Sequence, residues 1–138
     1  MNACPLCSET GQDVLRRDDL CRVILVDDPD YPGFCRVILN AHVREMSDLD
    51  AEARMHVMRV VFAVESALRE TLDPDKINLA SLGNMVPHVH WHVIPRYAHD
   101  RHFPDAIWAT PRREPAPAPA TADLRVRLAR ALQRHWPA

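Results

Sequence analysis

Two short apolar stretches open the pattern, Val14-Leu15-Arg16-Arg17 and Leu20-Cys21-Arg22-Val23-Ile24-Leu25-Val26, and Asp18-Asp19 separates them as a turn. Asp27 to Gly33 is loop chemistry, rich in Asp and Pro. Phe34-Cys35-Arg36-Val37-Ile38-Leu39 predicts a third strand. The period then changes. Ser47 is the expected N-cap of a long helix, with Asp48 and Asp50 in its first turn. Ala51, Met55, Met58, Phe62, Leu68 and Leu72 recur near 3.6 residues and mark its expected buried stripe, and Pro74 follows its end. Lys76 to Leu82 and His88 to Pro95 predict two more strands, with a turn at Gly83-Asn84-Met85-Val86-Pro87. Arg112 to Ala120 is a Pro/Ala linker. Thr121 is the expected cap of a short last helix carrying Leu124, Leu128 and Leu132 at i, i+4, i+8. The expected fold is α+β: a mostly antiparallel five-stranded sheet covered by one long helix, plus a short C-terminal helix. The expected division is a catalytic domain over 1–110, a linker over 111–120 and the last helix over 121–138.

Composition narrows the function classes. A chain of 138 residues suits one compact domain, and a net charge of -2 gives no basic face for a nucleic acid polymer or an anionic membrane. No apolar run approaches the roughly 20 residues of a bilayer span, and the start lacks the basic and apolar regions of a signal peptide, so a cytoplasmic location is expected. Four cysteines are present, two of them in Cys4-Pro5-Leu6-Cys7, a spacing that reads as half of a tetrahedral zinc site or as two free thiols. Cys21 and Cys35 fall inside strand patterns and are expected in the core. With only three glycines and no glycine-rich phosphate loop, any phosphate site must be built another way.

The chemistry concentrates in Pro87-His88-Val89-His90-Trp91-His92-Val93-Ile94-Pro95-Arg96. On a strand, His88, His90 and His92 share one face about 6.6 Å apart, while Val89, Trp91 and Val93 share the other. Imidazole is a nucleophile near neutral pH and a hydrogen-bond donor or acceptor. The middle ring is placed to attack phosphorus while its neighbours hold phosphate oxygens or tune the leaving group. A His-x-His strand also binds zinc or iron, so a metal-dependent hydrolase is the rival reading of the same residues.

His88-Val89-His90-Trp91-His92-Val93-Ile94 resembles the signature of the histidine triad (HIT) superfamily, and the order of elements over roughly residues 4–97 is similar to it. Pro87 and the Ile94-Pro95-Arg96 tail resemble the branch containing bacterial dinucleoside polyphosphate hydrolases. The resemblance implies that His90 forms a nucleotidyl-histidine intermediate, that His92 contacts phosphate and that His88 supports the site. No cofactor is implied for catalysis. A structural zinc on Cys4, Cys7, His42 and His88 is implied by similar members. Ile24, Val26 and Asp27 match the nucleoside slot, with Asp28 competing for the ribose. Ser81 and Asn84 match the phosphate-contacting loop, Phe34 stands where many relatives carry histidine, and Trp108 resembles an aromatic that some relatives place over the substrate. Arg96 is a candidate for a distal phosphate.

The resulting expectation is hydrolysis or transfer at the α-phosphorus of an adenine nucleotide, such as diadenosine tetraphosphate or adenosine phosphoramidate, by a homodimer packed through its long helix. A non-catalytic nucleotide-binding module stands beside it as an alternative.

Overall fold

The structure, a computed structural model, describes residues 4–116 and 122–137. Its strands are β1 (Asp13–Arg17), β2 (Cys21–Leu25), β3 (Cys35–Leu39), β4 (Lys76–Ala80) and β5 (His90–Arg96). They form a single antiparallel sheet in the order β1-β2-β3-β5-β4. A long helix, α1 (Ala51–Leu72), lies between β3 and β4 in sequence, and α2 (Leu124–His135) ends the fold. This is the expected α+β arrangement. None of its helices is long and apolar enough to cross a membrane.

The sheet has two unlike faces, because side chains alternate along every strand. One face carries Cys21, Val23, Cys35, Val37, Leu39, Ile77 and Val93 and packs on α1 through Val57, Val60, Val61, Val64, Ala67 and Leu68. Cys21 and Cys35 are fully buried there, and burial pushes both thiols up, that of Cys21 to about 12. On α2, Leu128, Ala131 and Leu132 join this core, and Arg125 clamps Asp13 at the start of β1 with its Nη2 2.6 Å from Oδ1. The opposite face carries Arg22, Ile24, Arg36, Ile38, His90 and His92, so the chemistry lies on the side away from the helices.

Several expectations about the helices are corrected. Residues Met46–Asp48 form a 3₁₀ turn, and Asp50, not Ser47, caps α1 by accepting from the Ala53 N–H at 2.8 Å. The buried stripe is also rotated. Met55 and Phe62 are each about half exposed (56% and 51%), while the valine and alanine row beside them is buried. The helix is apolar over more than one face, and the sheet covers only the row of small and β-branched residues. Thr121 lies outside the described residues. Asp123, at φ 63°, occupies the cap position of α2 without a side-chain capping bond. The strands predicted to Leu82 and from His88 are shorter, ending at Ala80 and beginning at His90.

Two local devices set the sheet against α1. Asp18 Oδ1 accepts from the amides of Leu20 and Cys21 in the β1–β2 turn, while Oδ2 meets His56 Nε2 at 2.7 Å, tying the hairpin to the helix. Gly33 sits at φ +90° just before β3, and a Cβ there would lie 2.6 Å from Leu72 Cδ1. Glycine therefore allows the end of α1 to close on the entry to β3.

Candidate active site

Antiparallel register assembles the site row by row. His90 pairs with Ile38 on β3, and His92 pairs with Arg36. Arg36 in turn faces Ile24 on β2, and His92 faces Ala80 on β4. The rings of His90 and His92 meet edge to face with centroids 4.9 Å apart, and both are buried. The strand backing works as alternation requires: Val89 and Val93 are in the core, with Trp91 packed against it.

Hydrogen bonds assign different tautomers to the two rings. His90 Nδ1 lies 2.6 Å from the His88 carbonyl, which can only accept, so Nδ1 carries the proton and the neutral ring keeps its lone pair on Nε2. Arg36 Nε donates to His92 Nδ1 at 3.4 Å, so the neutral His92 ring carries its proton on Nε2. Burial, with the positive fields of His90 and Arg36, lowers the His92 pKa to about 4. Near neutrality His92 is an uncharged donor. Side by side stand one imidazole with a free lone pair and one with a free N–H, which suits attack on phosphorus by the first and support of an oxygen by the second.

These rings open into a pocket of about 410 Å³ lined by Leu6, Arg36, Asn84, Met85, His90, His92 and Trp108, among others. A second pocket of about 540 Å³ adjoins it through Leu6 and Arg36 and is lined by Gln12, Ile24, Val26 and Asp27. Of the two aspartates proposed for a ribose, Asp27 lines this pocket, whereas Asp28 Oδ1 is occupied by the Asp30 amide at 3.0 Å. Asn84 reaches the first pocket. Ser81 does not line it and instead donates to the His90 carbonyl at 2.9 Å, fixing the strand beside the nucleophile candidate.

His88 faces elsewhere. Its Nε2–H donates to the Leu39 carbonyl at 2.7 Å, and burial lowers its pKa, so Nδ1 presents a lone pair. That nitrogen lies 3.4 Å from Cys4 Sγ, 3.6 Å from Cys7 Sγ and 3.2 Å from His42 Nδ1, and Cys7 Sγ lies 3.4 Å from His42 Nδ1. A tetrahedral zinc with bonds of about 2.3 Å to sulfur and about 2.05 Å to nitrogen separates sulfur from nitrogen by about 3.6 Å and nitrogen from nitrogen by about 3.3 Å. These three sulfur–nitrogen separations and the nitrogen–nitrogen separation match those spacings, and all four donors lie within 4.8 Å of one another. Arg22 anchors the Cys4–Cys7 segment from below, its Nη2 donating to the Leu6 carbonyl at 2.5 Å and its Nε to Gln12 Oε1 at 2.9 Å.

Arg96 takes a different place from the one expected of a phosphate ligand. It is buried, its Nε donating to Asp100 Oδ2 at 2.8 Å and its Nη2 to Asp100 Oδ1 at 3.0 Å, and it also bonds Asn78 and the Asp105 carbonyl. Asp100 further accepts from the amides of Tyr97, His102 and Phe103 and from the Tyr31 hydroxyl. Burial raises its pKa, but the Arg96 and amide hydrogen bonds outweigh that and hold it well below the usual carboxylate range. Tyr31 shares a 2.6 Å hydrogen bond with His102 Nδ1, so His102 belongs to this network and not to a solvated loop. The network pins the segment after β5, which brings Trp108 edge-on to His92 at 4.9 Å between centroids.

Sequence reasoning gave Arg36 no role. Its only signal was a cation inside an otherwise apolar strand, and its meaning depends on the β3–β5 register.

The family model for the HIT domain matches residues 8–99. Among solved structures, a histidine triad protein from Marinobacter aquaeolei VT8 is 28% identical with a TM-score of 0.74, covering 89% of this chain and 90% of the other. One from Bradyrhizobium japonicum is 28% identical with a TM-score of 0.72, covering 91% and 90%. A Zn-bound histidine triad family protein from Mycobacterium smegmatis shares the fold at 23% identity and a TM-score of 0.69, covering 96% and 94%. Comparison with curated proteins returns no match.

Proposed function

On the premise that this chain belongs to the HIT domain family, with its general nucleotide-binding and hydrolase character, we propose that it cleaves adenine nucleotides at the α-phosphorus through a covalent nucleotidyl-His90. The observation that carries this reading is the 2.6 Å bond from His90 Nδ1 to the His88 carbonyl, because it frees Nε2 for attack inside a pocket of substrate size.

His90 Nε2 forms a bond to phosphorus as the bond to the leaving group breaks. The leaving group departs with the electron pair and takes a proton from solvent. The positive ring that results is stabilised by the carbonyl already bound to Nδ1–H. The Nε2–H of His92 supports a phosphate oxygen. Water then attacks phosphorus and gives up a proton to solvent, the P–N bond returns its pair to His90, and the nucleoside monophosphate leaves. His88 acts through its backbone carbonyl and its ring's place in the zinc-type cluster. The nucleoside is assigned to the pocket of Ile24, Val26 and Asp27, with Asn84 near the phosphate.

Zinc fits Cys4, Cys7, His42 and His88, and the zinc-bound relative supports that reading. Four protein donors complete a tetrahedron and leave no position for a reactive water, so the ion is assigned a structural role. It would fix the start of the chain to the segment that leads into β5. Among the described residues His90 and His92 belong to no cluster of three metal-ligating side chains, which is the argument against the metal-dependent hydrolase. The homodimer is assigned to the face of α1 that exposes Met55 and Phe62, with the half-buried Met58 and the arginines Arg54 and Arg59 beside them.

The test is intact-protein mass after brief mixing with adenosine phosphoramidate or diadenosine tetraphosphate, quenched in alkali because the P–N bond is acid-labile. A nucleotidyl adduct in the wild type, absent in His90→Ala and insensitive to chelator, is the expected result. Near wild-type turnover by His90→Ala would overturn it. Tight AMP binding with no turnover of any candidate substrate would favour the binding module.

A further inference from the structure

Arg36 stands where the two pockets join. It is the direct cross-strand neighbour of Ile24 on one side and His92 on the other. Its stem lies on the same sheet face as both, and its guanidinium carbon sits 5.4 Å from the Phe34 ring centroid. Phe34 is buried and its ring also meets His92 at 5.8 Å, so the aromatic holds the cation and the imidazole in a common frame.

The guanidinium is only partly used. Of its five N–H donors, Nε–H is spent on His92 Nδ1. The Nη groups have no hydrogen-bond partner among the described residues, and no carboxylate pairs with Arg36 there. Among the described residues it is also the only Lys or Arg lining either pocket, where the other charged groups are Asp13 and Asp27. A partly buried cation with free, forked donors, standing between a nucleoside-sized pocket and two imidazoles, fits an oxyanion with two acceptor oxygens.

We propose that Arg36 is the phosphate-binding residue of this site: its Nη groups receive the nonbridging oxygens of the phosphate that joins the nucleoside to the bond broken at His90. The same side chain, through Nε, holds His92 in the tautomer that presents Nε2–H to the reacting group. This inference rests on the nucleotide reading of the site, and names the residue that does the work left open by the missing glycine-rich loop.

Isothermal titration of the full chain with AMP and with adenosine separates the role of Arg36 from the nucleotide reading of the site. Wild type is expected to bind AMP more tightly than adenosine. Arg36→Met keeps an apolar stem on Phe34 but has no donors; it should lower AMP affinity roughly 10- to 100-fold and adenosine affinity by far less. Arg36→Lys, which keeps the charge and loses the fork, should fall between them. Melting curves report whether each variant is folded, and Arg36→Gln carries the same comparison if Arg36→Met does not fold. A folded Arg36→Met that binds AMP like wild type, or that loses AMP and adenosine equally, overturns the role of Arg36 while leaving the nucleotide reading intact. A wild type that binds neither ligand overturns the nucleotide reading, and the assignment of Arg36 falls with it.

Discussion

Arg96, the last residue of β5, and Asp100, in the turn that follows, form a buried, two-pronged ion pair with contacts of 2.8 and 3.0 Å. The pair is the centre of a network that also takes in Tyr31, Asn78 and His102, and it holds the segment on which Trp108 reaches His92. Asp100→Asn keeps the shape but leaves the buried Arg96 charge uncompensated, so it should destabilise the fold by about 3 kcal/mol. At a temperature where the variant is still folded, turnover should fall with the loosened Trp108, and Trp108→Ala should reproduce that fall without the loss of stability. Denaturant melts beside steady-state rates check both; equal stability in Asp100→Asn and wild type would contradict the role given to the pair.

Removal of zinc should act on stability before chemistry. Metal analysis of the purified protein is expected to give about one zinc per chain, lost in Cys7→Ala. Chelation should lower Tm by at least about 5 °C, because a bound structural ion stabilises the folded state alone. Adduct formation per folded molecule should persist below the new Tm. Loss of the adduct in chelated but fully folded protein would move the metal into the reaction.

The depressed pKa of His92 has a definite sign in the pH dependence of stability. The folded ring titrates at about 4, because it is buried beside His90 and Arg36, whereas the unfolded ring titrates near 6.5. Between these values the unfolded chain binds more protons, so stability rises with pH across the window and is lost as pH falls from about 6.5 toward 4. Groups facing the ring are His90, Arg36, Phe34 and Trp108. Thermal melts of wild type and His92→Gln, both loaded with zinc, should converge as pH falls from about 6.5 to about 5, above the range where Asp18 and Asp100 add their own losses. Parallel curves would show that His92 is protonated at its ordinary pKa.

The exposed row on α1 predicts a change in assembly. Phe62→Asp places a charge on the exposed Met55 and Phe62 surface and should convert a dimer to monomer in light scattering, with little change in the monomer's fold because Phe62 lies outside the core. A wild type that is already monomeric at high concentration would remove the assignment.

Alternation along short strands and the 3.6-residue period of the long helix determined the α+β class, and the His-φ-His-φ-His run marked the strand of the candidate site, because these patterns depend only on neighbours in sequence. Cys4-x-x-Cys7 likewise declared half of the four-donor cluster with His42 and His88. The same local patterns misplaced the buried side of α1: Met55 and Phe62 are as apolar as the valines beside them, and only the sheet decides which row it covers. Arg96 and Arg36 reverse for a similar reason. Proximity in sequence suggested that Arg96 serves the histidines, but Asp100, Tyr31 and Asn78 close around it in the fold. Arg36 lies more than fifty residues before His92, and the β3–β5 register makes them neighbours. What a cation does depends on which partners surround it, and those partners are chosen by tertiary packing.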